Sequence, residues 1–392
     1  QSRVMFGKTA EEHGYRWDQY MQFIKPRVAA ELLIAFAEVA THNHFVLNHG
    51  GKVFKQTAPV IKLPACSSED EHLGLLGLLN SSVACFWLQQ VCHNKGGPGG
   101  GSSKDEKWHD FYAFNSTKVA EFPLCADRPV EIARQIDSLA QQLTNVAPEV
   151  LLNAKKDATE ARGAIEKSEV ESLASVAAAT LPSRSSLDTA RTQAARLRGQ
   201  MFAWQEELDW SCYGRYSLIP NNGERKGDLC HKNPPVICLG ERAFEIVMAR
   251  RKAAGTLETK WFEWLGIQPI AETPAHWPAD YRAVVQRRID LIESNRNIGL
   301  IESAACKRRW ESTPWETLEQ SALRNWLLAR LEAPTLWPAS ADQPAQLSST
   351  SRLADAVQRD AEFMHMAALY AGHTDFDAPQ LVAELVAAEA AP

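Results

Sequence analysis

Leu75-Leu76-Gly77-Leu78-Leu79-Asn80-Ser81-Ser82-Val83-Ala84-Cys85-Phe86-Trp87-Leu88 sets apolar side chains at helical spacing on both sides of an Asn-Ser-Ser triplet. Leu75, Leu76, Leu78, Leu79, Val83, Phe86 and Trp87 make a broad apolar face, so residues 69–91 read as helix. Asn80-Ser81-Ser82 interrupts the pattern, which leaves either one broken helix or two helices meeting there. Upstream, residues 44–63 read as short strands. His44-Phe45-Val46-Leu47 and Val53-Phe54 flank an Asn48-His49-Gly50-Gly51 turn, which is hairpin composition, and Val60-Ile61-Lys62-Leu63 follows. Residues 17–40 combine a strand-like patch with a helix-like run from Ala29 to Ala40. Downstream, residues 94–104 hold six Gly or Pro residues. Glycine loses too much backbone entropy in a helix or strand, so a mobile loop is expected there.

The remainder is helical in pattern. Residues 128–210 are polar and helical, with a break at Leu181-Pro182-Ser183-Arg184-Ser185-Ser186, as in a helical spacer or hairpin. Residues 240–265 read as a helix broken at Gly255, and residues 276–331 as further helices, with Pro278 and Pro314 suited to first turns. Residues 333–350, rich in Pro, Ser and Ala, read as a linker; helices follow over 352–370 and after Pro379. The expected fold class is α+β and mostly helical: an α/β region, a helical spacer and a helical carboxy-terminal domain.

A chain of 392 residues suggests two or three domains. Its 45% hydrophobic and 23% charged residues are ordinary for a globular protein. No run of about 18 apolar residues marks a membrane span, and no apolar stretch after a basic leader marks a signal peptide. The start at Gln1 reads as the edge of a longer protein. Eight cysteines without a C-x-x-C pair read as free thiols in a reducing cytoplasm. Metal ligation is not expected, because neither His42 with His44 nor Cys92 with His93 has zinc spacing. No Ser-His-Asp set or nucleophile elbow supports a hydrolase.

A net charge of −6 argues against a nucleic-acid partner, but its distribution does not. Residues 215–330 carry 18 basic against 14 acidic residues, whereas residues 331–392 carry 2 against 9. Two windows lack acids altogether: residues 39–68, with Lys52, Lys55 and Lys62, and residues 72–104, with Lys95 and Lys104. Seven of the 11 histidines fall in residues 1–125. Such bias suits a phosphate-facing surface, where an acid would oppose each lysine; the competing reading is chance composition. Asn94 at the glycine-rich stretch could meet a base edge or a phosphate, and the competing reading of that stretch is a plain linker. Arg250-Arg251-Lys252, Arg287-Arg288 and Lys307-Arg308-Arg309 are further basic clusters, phosphate contacts or merely solvated faces.

Asn233-Pro234-Pro235-Val236 approaches the adenine-binding loop of amino-methyltransferases, in which Asn or Asp and Pro-Pro precede an aromatic residue that stacks on a flipped base. Val236 offers no ring, and the preceding Asp228-Leu229-Cys230-His231-Lys232 does not read as a buried strand. No catalytic residue is therefore assigned.

Phe36-Ala37-Glu38-Val39-Ala40-Thr41-His42-Asn43-His44-Phe45, Thr57-Ala58-Pro59-Val60-Ile61-Lys62-Leu63-Pro64 and the Asn-Ser-Ser stretch, running on to Asn94-Lys95-Gly96-Gly97 and Phe122-Pro123, have a familiar order. Together they resemble the target-recognition region of the adenine-specific DNA methyltransferases of BREX phage-defence systems, nearest the type 2 form. They are also similar to specificity domains of type I and type IIG restriction-modification enzymes. Gln205-Glu206-Glu207-Leu208-Asp209-Trp210, Arg242-Ala243-Phe244-Glu245-Ile246-Val247, Pro274-Ala275-His276-Trp277-Pro278, and Ile301-Glu302 with Lys307-Arg308-Arg309-Trp310 extend the likeness.

The resemblance implies that catalysis and the S-adenosylmethionine site lie upstream, outside this chain, with no cofactor held here. It implies double-stranded DNA as partner, with other defence proteins as further candidates. It also implies a target-recognition domain over 1–125, a helical spacer over 126–214, a helical carboxy-terminal domain over 215–335, and a linker with terminal helices over 336–392. Lys52, Lys55, Lys62, Asn94, Lys95 and Lys104 are the expected DNA contacts.

Overall fold

The computed structural model describes residues 4–5, 8–9, 14, 32–50, 52, 54, 57–97, 106–153, 181–219, 226–310, 313–337 and 348–390. They form two compact units, each assembled from two stretches of chain: residues 1–137 with 203–309, and residues 138–202 with 310–392. Both are mostly helical, and the sheets are small and antiparallel, so the class is α+β.

The strands lie in the first unit. β1 (Val4–Met5) pairs with β2 (Lys8–Thr9). β3 (Leu33–Phe36) is the centre of a sheet whose order is β5-β3-β6, with β5 spanning Phe45–Asn48 and β6 Val60–Ile61. Ile34 stands opposite Leu47 on one side and Ile61 on the other. A second sheet has the order β4-β8-β7, built from Val39–Ala40, Phe111–Ala113 and His93–Gly96.

These pairings correct two expectations. The run from Ala29 to Ala40 is not helical in its described part: Leu33–Phe36 is a strand, buried along its whole length. Four apolar residues fit a doubly covered strand as well as a helix turn, and here neighbours on both edges satisfy the backbone. Of the expected hairpin, Gly51 and Val53 lie outside the described residues; β5 and β6 both pair with β3. The glycine-rich stretch is not wholly irregular, since Asn94, Lys95 and Gly96 belong to β7, with a register shift between Asn94 and Gly96.

The Asn-Ser-Ser stretch forms two helices, α1 (Glu69–Leu79) and α2 (Ser82–Val91). Ser68 and Glu71 close a capping box at the start of α1, and the Ser81 hydroxyl accepts the Ala84 N–H at 3.2 Å to start α2. Their leucines pack with Ile34, Phe36, Phe45 and Leu47 in one core that also takes in Leu208 and Cys212. Gly77 permits that packing: a Cβ there would stand 2.9 Å from Pro129 Cγ.

α3 (Ser116–Ala120) and α4 (Val130–Asn145) follow. α5 (Arg184–Arg215) starts at the predicted break and supplies residues to both units. The first unit continues with α6 (Ala243–Ala253), α7 (Trp261–Leu265), α8 (Ala279–Ser294), α9 (Arg296–Ile301) and α10 (Ala304–Lys307). In the second unit, α11 (Trp315–Leu331), α12 (Thr350–Val357), α13 (Ala361–Ala371) and α14 (Ala378–Ala390) pack Leu323, Leu327, Ala354, Phe363, Met366 and Val382 into their own core. Arg184 there grips Glu319 with Nη1 and Nη2, at 2.6 and 2.8 Å, and holds its carboxyl below the usual range.

Candidate nucleic-acid interface

Lys52, Lys62 and Lys95 are exposed. Lys62 follows β6 of one sheet, and Lys95 lies in β7 of the other. Asn94 is exposed too, but both ends of its amide are engaged: Nδ2 donates to Asp110 Oδ2 at 2.8 Å, and Oδ1 accepts the Gly96 N–H at 2.7 Å. Lys55 and Lys104 lie outside the described residues.

Helices and strands are tied together at the Asn-Ser-Ser junction. Asn80 Oδ1 accepts the Phe45 N–H at 2.9 Å, and its Nδ2 donates to the Phe45 carbonyl at 2.8 Å, imitating one more rung of the β5 ladder. Asn43 Nδ2 donates to the Leu79 carbonyl at 2.6 Å and to that of Ser81 at 3.2 Å. Asn43 thereby satisfies two carbonyls freed by the helix break. From α5, Asp209 Oδ1 accepts the Ser82 N–H at 2.7 Å, and Gln205 Nε2 donates to the Asn80 carbonyl at 3.1 Å. The triplet thus holds the segment carrying β4, His42 and His44 against the helices.

Behind the junction lies a buried ionic core that sequence reading missed. Lys307 Nζ contacts Glu206 at 2.8 Å, Glu302 at 2.8 Å and Asp209 at 3.3 Å, all essentially without solvent. Tyr213 donates its hydroxyl to Glu302 Oε1 at 2.5 Å. Arg309 Nη1 stands 3.5 Å from both Asp209 oxygens. Burial pushes the Glu302 carboxyl up, despite Lys307, while Lys307 and Arg309 hold Asp209 low against its own desolvation. Nearby, Arg288 pairs with Glu207 at 2.7 Å, and Arg242 with Glu245 at 2.7 Å.

The cluster at 307–309 and Arg288 are thereby reassigned, while Arg287 is half-buried and donates to the Asp228 carbonyl at 3.0 Å. Lys307, Arg308 and Arg309 are buried, as is Arg288, and Arg308 stacks 4.9 Å over the Trp264 ring. Charges buried in this way neutralise internal carboxylates and do not meet a polyanion. Of the third cluster, Arg250 donates to the Ala271 carbonyl at 2.8 Å, while Arg251 is exposed. The signal for the internal role was present in Gln205-Glu206-Glu207-Leu208-Asp209, three acids within an otherwise apolar helix run. Buried carboxylates require buried cations.

Asn233-Pro234-Pro235-Val236 follows a 3₁₀ turn (Lys226–Leu229), not a strand, and Val236 is 41% exposed. The residues do not fit an adenine pocket. Among the described residues, no group of three His, Cys, Asp or Glu could hold a metal ion. No described helix is long and apolar enough to cross a membrane.

His42 and His44 stack 6.2 Å apart beside Arg309. Burial, then Arg309, holds His42 down at about 3. Between the unfolded value of 6.5 and about 3, the unfolded chain binds a proton that the fold refuses, so stability falls as pH drops through this window. His42→Gln is expected to flatten the decline in melting temperature between pH 7 and 4; an unchanged slope would exclude His42 as its source.

Residues 201–392 match a family described only as a domain of unknown function (DUF7008). The likeness to an adenine methyltransferase read from the sequence is borne out. The chain is 42% identical over 390 residues to the "Adenine-specific methyltransferase PglX" of Streptomyces coelicolor. That match takes in 98% of this chain but 30% of the relative's length. No solved structure matches the chain.

Proposed function

We propose that this chain is the DNA target-recognition portion of a site-specific adenine methyltransferase that serves in bacteriophage defence. The observation that carries the reading is the 42% identity to the PglX methyltransferase over nearly all of this chain and 30% of that relative. In this reading a domain outside the chain binds S-adenosylmethionine and moves the methyl group to adenine N6, and residues 1–125 choose the site.

The charge arrangement supports it. Buried Lys307 and Arg309 are paired with internal carboxylates, and Lys52, Lys62 and Lys95 are exposed in acid-free windows. Lysines placed so supply phosphate affinity and orientation, and base choice comes from groove contacts. Exchanging residues 1–125, in a parent polypeptide carrying this chain, for the corresponding segment of a relative should change which adenines are methylated in genomic DNA. Methylation of the same adenines after the exchange would place site choice elsewhere.

A further inference from the structure

The two acid-free windows of the sequence meet in one sheet. β4 comes from residues 39–68 and β7 from residues 72–104, and both pair with β8. The register divides this sheet into two faces. Ala40, Tyr112 and Asn94 stand in one row, and Tyr112 is buried in the core with Ala40 packed against it. Val39, Ala113 and His93 stand in the next row and face the other way, because side chains alternate along a strand. Phe111, two residues before Ala113, shares that outward face.

The outward face is unlike an ordinary solvated one. Val39 is 46% exposed and Phe111 38%; His93 is exposed, as is Lys95 at the register shift between Asn94 and Gly96. None of these outward residues is acidic. The nearest carboxylate in sequence to Phe111, that of Asp110, is turned inward at 1% exposure and holds Asn94. An apolar centre with cationic and hydrogen-bonding flanks is complementary to a polyanion that also offers apolar base edges. Strands can enter a DNA groove, where an apolar side chain meets the thymine methyl group.

We propose that the outer face of the β4-β8-β7 sheet is the groove-contacting surface of this chain, with Phe111 and Val39 against base edges and His93 and Lys95 toward the backbone. It rests on the reading of the chain as a DNA-recognition portion and names the surface that reading leaves open. It is tested on the full 392-residue chain by equilibrium binding to a mixed-sequence duplex at several salt concentrations. Phe111→Ala should weaken binding about tenfold with the salt slope unchanged, the size of one base-edge contact. Lys95→Gln should instead reduce the slope by about one.

If the unaltered chain does not bind, or binds without a salt slope, the DNA reading itself fails and the surface with it. If it binds with a slope and Phe111→Ala binds equally well, the sheet face is not the surface, while the DNA reading stands. A second measurement is independent of any loss of stability. Phe111 replaced by the photoreactive p-benzoylphenylalanine should cross-link to the bound duplex; bound duplex without a cross-link would overturn the proposal.

Discussion

Lys307→Met is expected to remove about 3–5 kcal/mol of stability, the usual consequence of taking one partner from a buried charge cluster. Lys307 reaches Glu206, Glu302 and Asp209 at 2.8, 2.8 and 3.3 Å. With the ammonium gone, three carboxylates would share a dry site, and Arg309 approaches Asp209 only at 3.5 Å. Whole domains are stable by about 5–15 kcal/mol, so the loss approaches unfolding. The pH dependence gives the cause away. Without Lys307 the carboxylates would take up protons in the fold at a higher pH than in the unfolded chain. Groups raised in this way favour the fold below their unfolded values and cease to do so as pH rises. The deficit of the variant should therefore narrow between pH 7 and pH 5 in urea unfolding. A deficit below about 1 kcal/mol, the range of an exposed pair, or one that is the same at both pH values, would contradict the ionic account.

Glu245→Ala should cost a similar amount, about 3–5 kcal/mol, for a more local reason. Its Oε2 accepts the N–H groups of Gly240 and Arg242 and the Arg242 Nε–H, at 2.7, 3.2 and 2.9 Å. Its Oε1 accepts Arg242 Nη2 at 2.7 Å and the Trp261 indole N–H at 3.0 Å. One carboxylate thus caps α6, neutralises a fully buried guanidinium and fixes Trp261. Alanine leaves Arg242 charged and buried, held by the Lys307 carbonyl at 3.0 Å and by the Phe244 ring 4.7 Å away. The double replacement Arg242→Met with Glu245→Met should be less damaging than Glu245→Ala alone, because it strands no charge. A double variant as unstable as the single, by thermal melting, would show that lost packing and capping dominate instead.

The parts of this fold legible in the sequence are those decided by near neighbours. The break at Asn80-Ser81-Ser82 was legible because a serine can cap the helix that follows it, and both helices carry their own apolar face. The helix starts after Pro278 and Pro314 were legible for the same local reason. Leu33–Phe36 was misread because its strand character depends on β5 and β6, partners outside any short window. The basic triplet at 307–309 was read as a possible surface because Glu206 and Asp209, which neutralise it, lie about 100 residues away on α5. Of the candidate site, the acid-free windows were visible as composition. That β4 and β7 both pair with β8 was not, since nothing in either window names the strand between them.

The central claim is that exposed lysines of the first 125 residues grip a DNA duplex while the buried cations serve the fold. The most direct measurement is the salt dependence of duplex binding by this chain and by a variant carrying Lys52→Gln, Lys62→Gln and Lys95→Gln. Each phosphate contact contributes about 0.9 to the slope of log affinity against log salt. The account predicts clear binding at low salt, a steep negative slope, and a slope shallower by about three in the variant. No binding at low salt, or identical slopes for the two proteins, would contradict it.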